Sequence, residues 1–268
     1  MNETNHIQGK LSIVATPIGN LEDITLRALR TLKECDVVAC EDTRVTSKLL
    51  AHYDISKRTI ALHGNSLEKD FVRVEKLLEE GKHVALVSDA GTPGVSDPGL
   101  ELVSRVREHF GQLRQGVALT QHHSSQGDTF PQLRHHLSET PGPDLSEVVI
   151  ETIPGPSALA AAVSISGLRA ATFIFFGFLP LKKGREKLLT EIAASDRASV
   201  VYESPHRILK TLQSLRGKIP PNRRVGVFRE LTKMHEESIV GSAEDVLRYF
   251  MENSDKVRGE FVIIVEAQ

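Results

Sequence analysis

Short apolar runs alternate with amphipathic ones along most of this chain, and that alternation predicts its architecture. Strand-like runs stand in the first half at Leu11 to Ala15, Asp36 to Cys40, Thr59 to Leu62 and His83 to Val87. Helical spacing joins Leu26, Leu29 and Leu32, then covers Ser47 to Tyr53, Leu67 to Glu79 and Leu100 to Arg107. This βαβα order predicts a mostly parallel sheet with helices on its faces. In the second half strands are expected at Val148 to Thr152, Thr172 to Phe176, Ala198 to Glu203, Arg224 to Arg229 and Phe261 to Glu266. Helices fit Ser157 to Ile165, Arg185 to Ala194, His206 to Leu215 and Ala243 to Met251. Several connections there are short, which predicts a mixed sheet. The expected organisation is two α/β domains, residues 10–166 and 167–268, divided where Ser166-Gly167-Leu168-Arg169 ends a helix.

One segment breaks the alternation. From Gln112 to Gly142 the chain is rich in Gln, His and Ser, and glycines and prolines interrupt any period. A long surface loop or disordered insertion is the expectation. Its paired histidines, His122-His123 and His135-His136, have no carboxylate or cysteine at a fixed spacing, so no metal site is expected.

Composition narrows the function. The 268 residues carry a formal net charge of −2, so no global basic field draws the protein to nucleic acid and any RNA contact must be local. Cys35 and Cys40 are too few for a disulfide framework and lack a zinc spacing. No apolar run approaches the length of a membrane span or signal core, and a cytoplasmic protein is expected.

Candidate chemistry sits in loops that follow predicted strands. The most informative is Ser88-Asp89-Ala90-Gly91-Thr92-Pro93-Gly94-Val95-Ser96-Asp97-Pro98-Gly99, a turn with a carboxylate between a buried strand and a helix start. Parallel sheets bind ligands at the carboxyl ends of their strands. Similar turns occur at Thr16 to Asn20, Glu41 to Arg44, Ile153 to Ala158 and Glu203 to Arg207. Asp42 and Ser157 read equally as helix caps. The P-loop, the G-x-G-x-x-G turn, the G-x-S-x-G elbow and the H-E-x-x-H helix are all missing.

Eight motifs in order carry a resemblance. They are Ala15-Thr16-Pro17-Ile18-Gly19-Asn20-Leu21-Glu22-Asp23-Ile24-Thr25, Glu41-Asp42-Thr43-Arg44, Ser88 to Gly99, Pro154-Gly155-Pro156-Ser157-Ala158, Gly177-Phe178-Leu179-Pro180, Tyr202-Glu203-Ser204-Pro205-His206-Arg207, Arg229-Glu230-Leu231-Thr232-Lys233 and Gly259-Glu260-Phe261. The chain resembles, from about Lys10 to Glu266, the small-subunit ribosomal RNA methyltransferase I family of the tetrapyrrole methylase superfamily. It departs from that family in the 112–142 insertion, in a plainer Leu62-His63-Gly64-Asn65 loop, and in Met234-His235 after Lys233.

The resemblance implies a two-domain α/β homodimer that binds S-adenosylmethionine in a cleft between the domains. It also implies methylation of a cytidine ribose 2′-hydroxyl in the decoding region of small-subunit ribosomal RNA. Matching cofactor positions are Pro17, Asp89, Ala90, Gly91, Pro93, Val95, Ser157, Ala158, Tyr202, Glu203 and Leu231.

A hydroxyl nucleophile is helped by a group that accepts its proton, and Glu41, Asp42, His63 and Glu203 are candidates by type and position. RNA contacts are expected from Asn20, Arg44, Lys182, Lys183, Arg185, His206, Arg207 and Lys233. Phe173, Phe175 and Phe176 read as core, leaving few rings for base stacking and favouring RNA recognised by shape in an assembled subunit. Two alternatives remain at this level: methylation of a small tetrapyrrole-like substrate, and a non-catalytic ribosome-assembly factor.

Overall fold

A computed structural model describes residues 8–62, 68–97, 99–122 (backbone alone from 112) and 148–268. The chain divides into two compact units, one of residues 1–16 and 24–155 and one of residues 17–23 and 156–268.

The first unit is a five-stranded sheet in the order β3-β2-β4-β1-β5, parallel throughout. Its strands are β1 (Lys10–Val14), β2 (Val37–Cys40), β3 (Arg58–Ala61), β4 (His83–Val87) and β5 (Val149–Ile153). Helices α1 (Leu26–Glu34), α2 (Thr43–His52), α3 (Glu68–Glu79) and α4 (Gly99–His122) make the crossovers. Every residue of β2 is buried, as two-sided coverage by helices requires. Leu11 and Leu86 meet Phe71, Leu78 and Leu102 on the α3 and α4 face, while Val14 and Val87 meet Leu32 and Leu50 on the other.

In the second unit the sheet order is β6-β7-β10-β8-β9. These strands are β6 (Phe173–Phe178), β7 (Ala198–Glu203), β8 (Arg224–Arg229), β9 (Glu237–Ser242) and β10 (Phe261–Val265). Only the β6–β7 pair is parallel; β7–β10, β10–β8 and β8–β9 are antiparallel, so the sheet is mixed as expected. Helices α6 (Arg185–Ala194), α7 (Ile208–Arg216) and α8 (Ala243–Glu252) cover one face through Leu189, Leu212 and Phe250. Helix α5 (Ala158–Ile165) contributes Ala162 to the other face, beside Ile18, Phe228 and Leu231.

Four features differ from the sequence expectation. The division falls after Gly155 rather than near residue 166, because α5 packs on the second sheet. Helix α2 starts at Thr43, four residues ahead of Ser47, because the Asp42 side chain accepts from the Arg44 amide and caps it there. Helix α4 runs to His122, so residues 112–122 continue a helix instead of opening a loop. A glycine such as Gly116 costs a helix only about 1 kcal/mol against alanine, which its neighbours can offset. The sequence reading misses β9, an edge strand whose apolar content is Ile239 and Val240.

Candidate functional site

In the first unit the carboxyl ends of β1, β2, β4 and β5 share one edge because all four strands are parallel. The loops beyond them are tied together by their backbones. Thr16 and Gly91 exchange N–H···O bonds of 2.9 and 3.1 Å, and the Thr16 hydroxyl donates to Ser88 O at 3.1 Å. Ala15 N donates to Ile153 O at 3.1 Å, and the Asp42 amide donates to Asp89 Oδ1 at 3.0 Å. The turn after β4 passes through left-handed backbone at Gly91, Gly94 and Ser96. Asp97 braces it by accepting from the Gly94 and Gly99 amides at 2.7–2.8 Å.

This framework leaves Asp89 and Ala90 exposed while Gly91 and Pro93 are buried and Val95 is half-buried. Asp89 therefore presents a carboxylate on a braced turn, with peptide groups beside it. That set suits a polar small molecule: the carboxylate accepts from hydroxyl or ammonium groups, and backbone N–H groups can meet a ligand carboxylate.

Glu41 and Asp42 follow β2 and sit in different surroundings. Asp42 caps α2, and Arg44 donates to its carboxylate from Nε and at 2.6 Å from Nη2. The hydrogen-bonded guanidinium holds the Asp42 carboxyl well below the usual carboxylate range. A carboxylate so stabilised is a poor proton acceptor. Glu41 is half-buried and lines a small pocket with Leu62, Leu86, Ser88, Asp97 and Leu102. His63 lies outside the described residues.

In the second unit Pro17 to Asp23 joins two motifs distant in sequence. The Asn20 amide donates to Thr232 Oγ1 at 3.1 Å, and its side-chain Oδ1 accepts from Glu22 N. A Cβ on Gly19 would stand 2.4 Å from Lys233 Cγ, which excludes any side chain there without displacing Lys233. Lys233 Nζ donates to Glu230 at 2.8 Å and Glu260 at 2.9 Å. Burial pulls its pKa down, but the two carboxylates outweigh this and raise it. Glu230 and Thr232 both have positive φ, so Leu231 is buried between two strained residues. Gly259, at φ +86°, would place a Cβ 2.4 Å from Glu230 Cδ.

Tyr202 and Ser157 meet at the start of α5. The Tyr202 hydroxyl accepts from Leu159 N at 3.1 Å, while Ser157, although the N-cap residue, makes no side-chain cap bond. Burial pushes the Tyr202 hydroxyl pKa up. Ala158 is half-buried beside it.

The structure departs from the sequence expectation at Glu203, Arg185, Arg207 and the aromatic strand. Glu203 has a side chain with no exposed surface. Its oxygens take Arg207 Nε at 2.8 Å, Ser204 N at 2.9 Å and the Thr211 hydroxyl at 2.6 Å, with Arg185 at 3.6 Å. Its carboxylate is thus spent on structural partners inside the fold and is not placed as a proton acceptor. Arg185 is buried with it and donates to Thr211 and Pro180 O, so it cannot meet a phosphate. Arg207 is mostly buried and donates to Leu179 O at 2.7 Å. By contrast Lys182, Lys183 and His206 are exposed, as is Arg44, whose guanidinium is shared with Asp42. Phe173 and Phe178 are exposed and Phe175 and Phe176 half-buried, so the aromatic strand is not all core. Among the described residues no cluster of His, Cys, Asp or Glu could hold a metal, and no helix is long and apolar enough to cross a membrane.

Comparison with known proteins adds a lineage to this geometry. A family model described as Tetrapyrrole (Corrin/Porphyrin) Methylases matches residues 10–114 and 128–247, and its break lies inside the 112–142 segment. A Thermotoga maritima protein named ribosomal RNA small subunit methyltransferase I is 38% identical over 260 residues, covering 97% of this chain and 99% of that one. A Halalkalibacterium halodurans protein of the same name is 40% identical over 260 residues, 97% of this chain and 76% of its own. Among solved structures, the methyltransferase CobJ superposes with a TM-score of 0.61 at 18% identity, covering 97% of this chain and 95% of CobJ. A uroporphyrin-III-C-methyltransferase from Thermus thermophilus gives 0.56 at 18%, covering 97% and 92%. At such identity these two likenesses speak for the fold alone.

Proposed function

Since the chain belongs to the tetrapyrrole methylase family, and within it to the ribosomal RNA small subunit methyltransferase I branch, we propose that it methylates a cytidine ribose 2′-hydroxyl in the decoding region of small-subunit ribosomal RNA, with S-adenosylmethionine as donor. The observation that carries this reading is the braced Asp89 turn at the carboxyl edge of a parallel sheet, in a chain alike to those RNA methyltransferases over nearly its whole length. We place the protein in the cytoplasm as a homodimer acting on the assembled subunit.

The donor supplies a methyl group on a positively charged sulfur. The protein's part is to hold and orient the two reactants and to exclude water. Asp89, Ala90, Gly91, Pro93 and Val95 of the first unit are assigned to the cofactor. The family resemblance implies Pro17, Ser157, Ala158, Tyr202 and Leu231 as cofactor positions too.

As the new O–C bond forms, the S–C bond breaks and the hydroxyl proton must leave. Of the four candidates, Asp42 is held ionised by Arg44 and Glu203 is sealed in its ion pairs, which leaves Glu41 and His63, and Glu41, beside Ser88 and Asp97 in the pocket, is the one assigned as acceptor. Lys182 and Lys183, exposed cations of the second unit, are assigned to RNA phosphates, with the exposed His206 beside Arg207 as a further contact.

The test is methyl transfer from labelled S-adenosylmethionine to small ribosomal subunits lacking the modification, beside naked RNA and a tetrapyrrole. Label at one cytidine ribose is expected on subunits. Label on the tetrapyrrole alone, or cofactor binding with no transfer at all, would overturn the reading.

A further inference from the structure

The end of β6 presents an aromatic ring that the fold does not bury. Phe176 packs toward α6, α7 and α8, and Phe175 packs on the α5 side. The register against β7 then shifts between Phe175 and Phe178, with Gly177 at positive φ, and a shift of that kind re-aims a side chain. Phe178 emerges 54% exposed. Its ring meets the Tyr202 ring edge-on at a centroid distance of 5.5 Å, and Tyr202 is fixed in turn by Phe175 at 4.9 Å and by the Leu159 amide. The ring is thus supported on one side and open on the other.

The residues that follow are equally fixed and carry charge. Arg207 holds Leu179 O and Arg185 holds Pro180 O, both guanidinium groups being anchored on Glu203. Beyond them Leu181 is 76% exposed, and Lys182 and Lys183 are exposed with no ion pair among the described residues. A rigid aromatic face within five residues of two exposed cations meets the needs of an unpaired nucleobase and its phosphates.

We propose that Phe178 stacks on an unpaired base of the RNA substrate while Lys182 and Lys183 take the adjoining phosphates. This deepens the RNA methyltransferase reading and rests on it. A second copy of the chain is the weaker occupant, because a self-contact centred on Phe178 would bring the lysines of two copies together.

The chain contains no tryptophan, so Phe178→Trp introduces a single fluorophore at the proposed contact. A cytidine-rich oligoribonucleotide is expected to quench it, whereas inorganic polyphosphate binds without quenching and S-adenosylmethionine alone has no effect. Failure of the oligonucleotide to bind, binding without quenching, equal quenching by polyphosphate, or quenching by S-adenosylmethionine alone would each overturn the proposal. In methyl transfer, Phe178→Leu is expected to raise KM for small subunits roughly tenfold with cofactor affinity unchanged, and Phe178→Trp to stay near wild type. An unchanged KM in Phe178→Leu, or loss of a wild-type dimer in that variant, overturns the stacking role while leaving RNA methylation intact. Quenching by RNA in a protein that labels no subunit would instead overturn the methylation reading and retain the contact.

Discussion

Adjacent carboxylates can be driven to opposite ends of usefulness by their neighbours. Asp42 spends its acceptor capacity on its own helix and on Arg44, whereas Glu41, one residue earlier, faces a pocket lined by Ser88 and Asp97. Glu41→Gln is therefore expected to lower kcat by about 10²–10⁴-fold with little change in cofactor affinity, the range for loss of a general base. Asp42→Asn should leave the neutral-pH profile of kcat in place, because its carboxyl is already ionised far below that range. Single-turnover rates from pH 6 to 9 for both variants check the assignment, and a larger loss in Asp42→Asn would reverse it. Nothing in the order Glu-Asp-Thr-Arg distinguishes the two acids; the cap and the pocket do.

At the scale of elements, ion pairs set where strands and turns stop. Glu266, just after β10, is almost fully buried; its carboxylate accepts from Arg224 at 2.7 Å and from the Arg169 amide at 3.0 Å. The bonded Arg224 guanidinium is the main cause that brings its pKa down to about 2. A carboxyl whose folded pKa is depressed adds stability that is complete above its ordinary value of 4.5 and disappears as pH falls toward 2. Glu266→Gln is thus expected to cost about 2 kcal/mol at pH 7 and almost nothing at pH 2, a difference legible in denaturant midpoints at the two pH values. The sequence shows β10 as an apolar run but gives no hint of this anchor, whose partners lie 42 and 97 residues away. The edge strand β9 escapes for a related reason: half-exposed Glu237–Ser242 has too few buried apolar positions to set a period.

For the whole molecule, RNA affinity has to come from local charge, since the chain is slightly acidic overall with a net charge of −2. Lys182→Ala with Lys183→Ala is expected to weaken binding to small subunits and reduce the slope of log K against log salt by about two, leaving kcat at saturation unchanged. Filter binding at several salt concentrations measures that slope; an unchanged value would remove the pair from the interface. Arg185, in the same basic run, should behave differently: Arg185→Ala breaks a buried ion-paired network and should lower stability rather than the salt slope.

The sequence by itself determined the two α/β units, the parallel first sheet and the mixed second one, because apolar period and connection length are local properties that each segment carries alone. It also located the loops at Thr16, Glu41, Asp89, Ser157 and Glu203, which follow apolar runs. Only the tertiary structure decided what those side chains could do. It sealed Glu203 and Arg185 together and turned Phe178 outward across a register shift. It also brought Lys233 against Gly19, so that a side chain there would have to displace the lysine. Each outcome depends on desolvation or close approach by partners remote in the chain, and residue order does not encode that distance.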